Sequence, residues 1–350
     1  MSATGRAPTV APPAIPRWGR VALAAALLLA PAAVPAQRVA AGGGSGSLLV
    51  VTNEESKDVT LVALPSHRVL ARVPMGERPR GVQPSPDGRR VYVALSDDAT
   101  SRQTGRDVVA VLDVATRKVV ARYPAGTDPE QFAVSPDGRF LYASNEDAGL
   151  ASAVDLRSGK VVAEMVVGIE PEGVGMSPDG RWVYVTAETS NTVSVIDTRT
   201  NKVVASFLVD PRPRAVAFAP DGRRAYVTSE LGGTVSVVDV ARHAVTASIE
   251  LDAEGEAKPV GVVVSPDGAR VYVANGHLGT VSVIDARTNR LLRQVKVGRR
   301  PWGIALSPDG RRLYTANGTS NDVSVVDTGT LQVVATIKSA GRPWGVAVVK

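Results

Sequence analysis

The sequence predicts an all-β fold, a seven-bladed β-propeller with four antiparallel strands per blade, on three observations. A Ser/Ala-Pro-Asp-Gly tetrapeptide recurs six times, with its aspartate at Asp87, Asp137, Asp179, Asp221, Asp267 and Asp309, at intervals of 50, 42, 42, 46 and 42 residues. Each interval holds four strand-like runs separated by turn residues. The two chain ends carry complementary parts of one further unit. A fixed period of this size marks one supersecondary unit repeated around a ring.

The unit over 303–338 shows the pattern. Residues 303–307 form a short apolar run, and Pro308-Asp309-Gly310 turns the chain, the proline presetting φ and the glycine accepting φ > 0. Residues 312–317 make a second strand. After a polar loop, 323–327 alternates apolar and small polar residues with period two. A turn at 328–331 leads to a fourth strand over 332–338.

Before Asp87, residues 48–53, 58–64 and 68–73 read as strands two, three and four of a unit that lacks strand one. The missing strand stands at the other end, where Arg342-Pro343-Trp344-Gly345-Val346-Ala347-Val348-Val349 repeats 300–306 and stops. One blade is therefore assembled from both termini, which pairs the strand edges and fastens the ring. The two long intervals place extra residues in 96–107 and in 251–258. In a four-stranded antiparallel blade these two kinds of connection share one face, which is the expected working rim, since loops on a rigid scaffold carry binding groups.

Residues 1–36 read as a secretory signal. Arg6, Arg17 and Arg20 give a positive start, 21–30 is an apolar core, and Val34-Pro35-Ala36 sets cleavage after Ala36. Residues 37–47, rich in Gly and Ser, are a flexible linker, and 48–350 is the propeller. The expected location is periplasmic or secreted, with no membrane anchor after cleavage. Removing the three arginines lowers the formal net charge from +6 to +3, too little to call for nucleic acid. The chain has no cysteine, which excludes disulfides, a thiolate nucleophile or metal site, covalent c-type haem and a lipid-modified N-terminal cysteine.

The repeat wording resembles the YVTN-type β-propeller family. It stands here as Val51-Thr52-Asn53, Tyr184-Val185-Thr186, Tyr226-Val227-Thr228, Tyr272-Val273-Ala274-Asn275 and Tyr314-Thr315-Ala316-Asn317, joined to Thr192-Val193-Ser194-Val195-Ile196-Asp197 and its equivalents. Seven repeats behind a signal are most similar to the exported subgroup associated with pyrroloquinoline-quinone-dependent alcohol catabolism. That resemblance implies a neighbour in such a pathway, with a periplasmic dehydrogenase component as partner. More distantly, the family is similar to amine dehydrogenase heavy chains, cytochrome d1-type propellers and lactonases.

The Pro-Asp-Gly aspartates, and those ending each third strand (Asp113, Asp155, Asp197, Asp239, Asp285, Asp327), read as turn residues. More telling is the position after the proline that opens each innermost strand. It reads Arg80, Glu130, Glu172, Arg214, Val260, Trp302 and Trp344, variable while its flanks repeat, and belongs at the mouth of the central channel. Arg78, Arg212, Arg299, Arg300 and Arg342 neighbour it. The candidate binding residues are Arg80, Glu130, Glu172, Arg214, Arg300, Trp302, Arg342 and Trp344, fit to hold a small polar or anionic ligand by stacking and bidentate hydrogen bonds. Glu130 and Glu172, on adjacent blades, could bind a hard cation or act as acid and base. His67, His243 and His277 are scattered and read as surface residues. There is no nucleophile elbow, Walker loop or dinucleotide fingerprint. The resulting expectation is a monomeric, non-enzymatic binding scaffold without cofactor, metal or catalytic residues. Its alternatives are a metal-assisted lactonase-like hydrolase at the channel, and a cell-surface interaction module.

Overall fold

The computed structural model describes residues 47–97 and 105–350; the signal, its cleavage site and nearly all of the linker lie outside the described residues. Twenty-eight strands form seven four-stranded antiparallel sheets. Blade I joins β1 (Leu48–Asn53), β2 (Asp58–Ala63) and β3 (Arg68–Pro74) to the last strand, β28 (Pro343–Val349). Leu48 pairs with Val349 and Val51 with Val346, so the ring closes as the two termini predict. Ser339 adds a bond across the seam, donating to Asn53 Oδ1 at 2.6 Å. Blades II to VII follow in chain order and begin at Arg78, Pro129, Pro171, Pro213, Pro259 and Pro301.

The sheets pack face to face, and the core lies between blades. Tyr92, Val109 and Val111 of blade II meet Phe132, Leu141, Ala143 and Val154 of blade III, all buried. Small β-branched residues allow this close stacking, and the second-strand tyrosines fill the wedge between sheets. Burial pushes the Tyr142 hydroxyl up to about 12, and that hydroxyl lies 2.6 Å from Asn201 Oδ1.

The Ser-Pro-Asp-Gly segments are turns. The serine hydroxyl donates to the aspartate at 2.6 Å in Ser85–Asp87, Ser135–Asp137, Ser177–Asp179, Ser265–Asp267 and Ser307–Asp309. The following glycine has φ between 68° and 71° in all six. Third-strand aspartates also accept backbone N–H groups, as Asp285 does from Thr288 at 2.7 Å.

One refinement concerns the innermost strands. That of blade VII begins at Pro301, two residues before the expected start, because its proline pairs with Asn317 before the register slips, as the prolines of the other innermost strands also pair before their slips. The slip recurs in all seven blades and takes in the variable position and its neighbour, as at Arg80-Gly81, Glu172-Gly173 and Trp302-Gly303. A β-bulge re-aims a side chain out of the sheet's alternation, and here it turns seven residues toward the channel mouth.

Candidate functional site

All eight residues singled out from the sequence line one cavity of about 210 Å³ at the channel mouth, together with Glu54, Glu146 and Arg212. Backbone bonds between blades hold this ring. Thr52 Oγ1 donates to the carbonyl of Arg80 at 2.8 Å, Ser144 Oγ to Glu172 at 2.7 Å, Thr186 Oγ1 to Arg214 at 3.2 Å and Thr228 Oγ1 to Val260 at 2.6 Å. The same hydroxyls receive the N–H after the variable position in their own blade, as from Gly345 to Thr52 at 2.8 Å. A second-strand hydroxyl in one blade thus positions a mouth residue in the next. Alanines 274 and 316 occupy the corresponding places before Trp302 and Trp344.

The mouth is divided by charge. On one side stand Glu130, only 1% exposed, Glu172, Glu146 and Asp128. Arg80 lies 3.0 Å from Glu130 and 3.7 Å from Glu54, and Arg78 lies 3.6 Å from both Glu54 and Asp128. Arg214 is buried among acids, 3.4 Å from Glu172, 2.9 Å from Glu230 and in close contact with Glu188. Arg212 bridges Glu188 at 2.8 Å and Glu230 at 3.2 Å. On the other side Trp302 and Trp344 lie 5.9 Å apart with planes tilted by 38°. Arg214 and Arg300 sit 4.8 Å and 5.0 Å from the Trp302 ring, and Arg80 5.6 Å from that of Trp344. Arg342 pairs with Glu54 at 3.3 Å.

Burial shifts two of these acids upward. Burial, reinforced by the Glu172 charge and only partly opposed by Arg80, raises Glu130 well above the usual carboxylate range. Burial and the nearby charges of Glu172 and Asp128 push Glu146 up to about 7. The side chains of Glu146 and Glu130 hydrogen-bond to each other, a contact that requires a proton on one of the two carboxyls. Oxygens of Asp128, Glu130 and Glu146 fall within 4.8 Å of one another, so this trio could hold a hard divalent cation. The grouping corrects the pairing of Glu130 with Glu172 as ligands. Glu146 follows the second strand, outside the repeat position that drew attention to Glu130, so spacing alone did not bring the two together.

The loop position after the second strand is the signal that sequence reading missed. Aligned on the strand register it reads Glu54, Ser96, Glu146, Glu188, Glu230, Gly276 and Gly318. Outside blade II its N–H donates to the carbonyl of the residue before the innermost-strand proline, as Glu146 does to Asp128 at 3.2 Å and Glu230 to Arg212 at 2.8 Å. That acceptor residue is left-handed in six blades, with φ of 46° at Asp128, 59° at Arg212 and 53° at Arg300. Such strain outside glycine gathers where a side chain must be aimed.

The histidines lie elsewhere. His243 is not a plain surface residue: its Nδ1 is 2.7 Å from the Tyr184 hydroxyl and its ring packs edge-on to Trp182. His277 pairs with Glu256 at 3.2 Å on the working rim.

A family profile described as lactonase, seven-bladed β-propeller, matches residues 209–348, and one described as cytochrome d1 haem domain matches 98–214. Comparison with curated proteins gives no match. Among similar solved structures is hydrazine synthase of Kuenenia stuttgartiensis, 24% identical over 76% of this chain and 88% of that one, with a TM-score of 0.66. A candidate 6-phosphogluconolactonase of Bacteroides uniformis is 18% identical over 87% and 99%, with a TM-score of 0.73. The dihydro-haem d1 dehydrogenase NirN in complex with DHE is 19% identical over 86% and 74%, with a TM-score of 0.63. At these identities the likeness shows the fold. The mouth does not fit a haem, because among the described residues no histidine, methionine, cysteine or tyrosine lines it to serve as axial ligand.

The expectation of a non-enzymatic scaffold is corrected by the lactonase profile, which favours the alternative of a hydrolase at the channel. The site carries the matching chemistry: burial raises Glu130 above the usual carboxylate range and brings Glu146 to about 7, and perturbed carboxyls gather at acid–base sites. In sequence profile the chain is similar to lactonase-type and cytochrome d1-type propellers, and its fold is theirs.

Proposed function

We propose that the channel mouth hydrolyses a lactone. The carrying observation is the placement of Glu146, titrating at about 7, beside Glu130, which burial raises well above the usual carboxylate range, and the buried guanidinium of Arg80. A base works best with a pKa near the operating pH, and two carboxyls driven to different values divide the roles of base and acid. Ionised Glu146 takes a proton from water as the water oxygen bonds to the lactone carbonyl carbon. Arg80 and Arg214 face the oxygen that gains negative charge. The ring C–O bond then breaks, its oxygen receives a proton from the Glu130 carboxyl, and the proton held by Glu146 passes to Glu130 across their hydrogen bond, restoring both groups. Trp302 and Trp344 supply a flat apolar wall for the ring, and Arg300 and Arg342 orient its polar substituents.

The test is a lactone panel with purified protein, run after chelation and again with added calcium. Hydrolysis without cation supports Glu146 as base; hydrolysis only with calcium supports the Asp128–Glu130–Glu146 trio as ligands in a metal-assisted form. No hydrolysis in either condition overturns the reading. Export as a monomer acting on a small anionic ligand, and kinship with the exported YVTN-type subgroup, belong to the same proposal on the strength of residues 1–36 and the repeat wording. Fractionation and size-exclusion chromatography check the first two.

A further inference from the structure

Beside the mouth, between blades V, VI and VII, lies a second depression of about 460 Å³ that shares Arg300 and Trp302 with the mouth. Lys258, Lys296, Arg299 and Arg300 line it, and among the described residues none of the four makes an ion pair. Lys296 Nζ donates to the carbonyl of Leu278 at 2.7 Å and Arg299 Nη2 to that of Thr319 at 3.1 Å, leaving their charges uncompensated. The carboxylates around it are engaged: Glu230 with Arg212 and Arg214, Glu256 with His277, and Asp322, beside Gly298, with Asn317 Nδ2 at 2.6 Å. Asp252 accepts the backbone N–H groups of Glu254, Glu256 and Ala257 within its own loop.

The repeat explains how this cluster arises. Four blades place an acid at this position, and three of those acids, Glu54, Glu188 and Glu230, pair with arginines at or beside the innermost strands. In blades VI and VII that position is Gly276 and Gly318, while the backbone geometry is unchanged. Gly276 donates to the carbonyl of Lys258, and Gly318 to that of Arg300, each at 2.9 Å, as Glu230 does to Arg212 at 2.8 Å. The acid is deleted where the cations gather. A concave surface of one sign beside a site focuses potential on an oppositely charged ligand.

We propose that this depression is an anion subsite for a phosphate-type oxyanion. Guanidinium and ammonium groups converging from two loops suit a doubly charged group with several acceptor oxygens. That the anion arrives on the substrate rests on the hydrolase reading; the subsite itself does not.

Titration calorimetry with inorganic phosphate, and with acetate as comparison, tests it. The wild type is expected to bind phosphate saturably and more tightly than acetate, with affinity falling as chloride rises. Lys296→Ala and Arg299→Ala should each weaken phosphate about fivefold, the worth of one exposed charge contact. Gly276→Glu restores the acid of the other blades and should abolish binding. Its Cβ would meet Val260 Cγ2 at 3.3 Å and the Lys258 carbonyl at 3.4 Å, within reach of small adjustments, and circular dichroism verifies folding. The absence of saturable phosphate binding by the wild type overturns the subsite, as does unchanged affinity in folded Gly276→Glu and in the two alanine variants. Phosphate binding without lactone hydrolysis removes the hydrolase reading and leaves the subsite. Equal turnover of neutral and phosphate-bearing lactones, with no inhibition by phosphate, removes the subsite and leaves the hydrolase.

Discussion

Glu130 and Glu146 show how position sets chemistry at the scale of one residue. Both are ordinary glutamates in sequence, yet burial among like charges raises Glu130 well above the usual carboxylate range and brings Glu146 to about 7. If Glu146 is the base, kcat/KM for lactones should rise with pH through about 7 and level off above it. Glu146→Gln should lose that limb and about 10²- to 10⁴-fold in rate, read from pH–rate profiles of both proteins. The sign of the stability effect is opposite to that of a paired carboxylate. A carboxyl whose folded value lies above its unfolded value holds its proton more tightly when folded. Its stabilising contribution is present below the unfolded value of about 4.3 and is lost as pH rises through about 7. Thermal melts of the wild type should therefore decline between those limits, and Glu146→Gln should flatten that decline.

The turns and bulges act at the scale of the element. Each Pro-Asp-Gly glycine needs positive φ, but its surroundings differ. At Gly222 an added Cβ finds only Pro178 Cδ at 3.7 Å, whereas at Gly310 it meets Pro266 Cδ at 2.9 Å. Gly222→Ala should cost about 1 kcal/mol, from backbone strain alone. Gly310→Ala should cost more, because the proline of the previous blade must also move; urea denaturation of both variants measures the difference. Thr228 is the simplest test of the inter-blade bonds, since it joins the Val260 carbonyl at 2.6 Å to the Ala215 N–H at 3.0 Å. Thr228→Val keeps the shape, leaves two buried backbone groups without that partner, and should cost about 1–3 kcal/mol in the same assay.

For the whole molecule, closure is the decisive property. Without β28, strand β1 would present an open edge, and the cluster that includes Val50, Leu61, Val82, Ala347 and Val349 would lose its final strand. Removing residues 343–350 should therefore yield aggregated protein or a broad, uncooperative melt, seen by light scattering and calorimetry. A sharp transition matching that of the full chain would count against ring closure as the source of cooperativity. Closure also makes the mouth, since Trp344 comes from the last strand and Arg80 from the first complete blade, and cation and ring lie 5.6 Å apart only in the closed ring.

The blade count, the turns, the seam between the termini and the eight mouth candidates were all legible in the chain. Each rests on a repeat, and departure from a repeat shows against its regular neighbours. The arrangement of the mouth acids was not legible. Asp128, Glu130 and Glu146 belong to two phases of the repeat, which the pairing of Pro129 with Asn145 and the bond from Glu146 N–H to the Asp128 carbonyl bring together. Nor could spacing show that Arg214 is consumed by three acids while Arg300 and Lys258 keep their charge free. Periodicity reports which way the backbone runs and where it turns. Protonation and pairing depend on burial and on charges within a few ångströms, and those neighbours come from different blades.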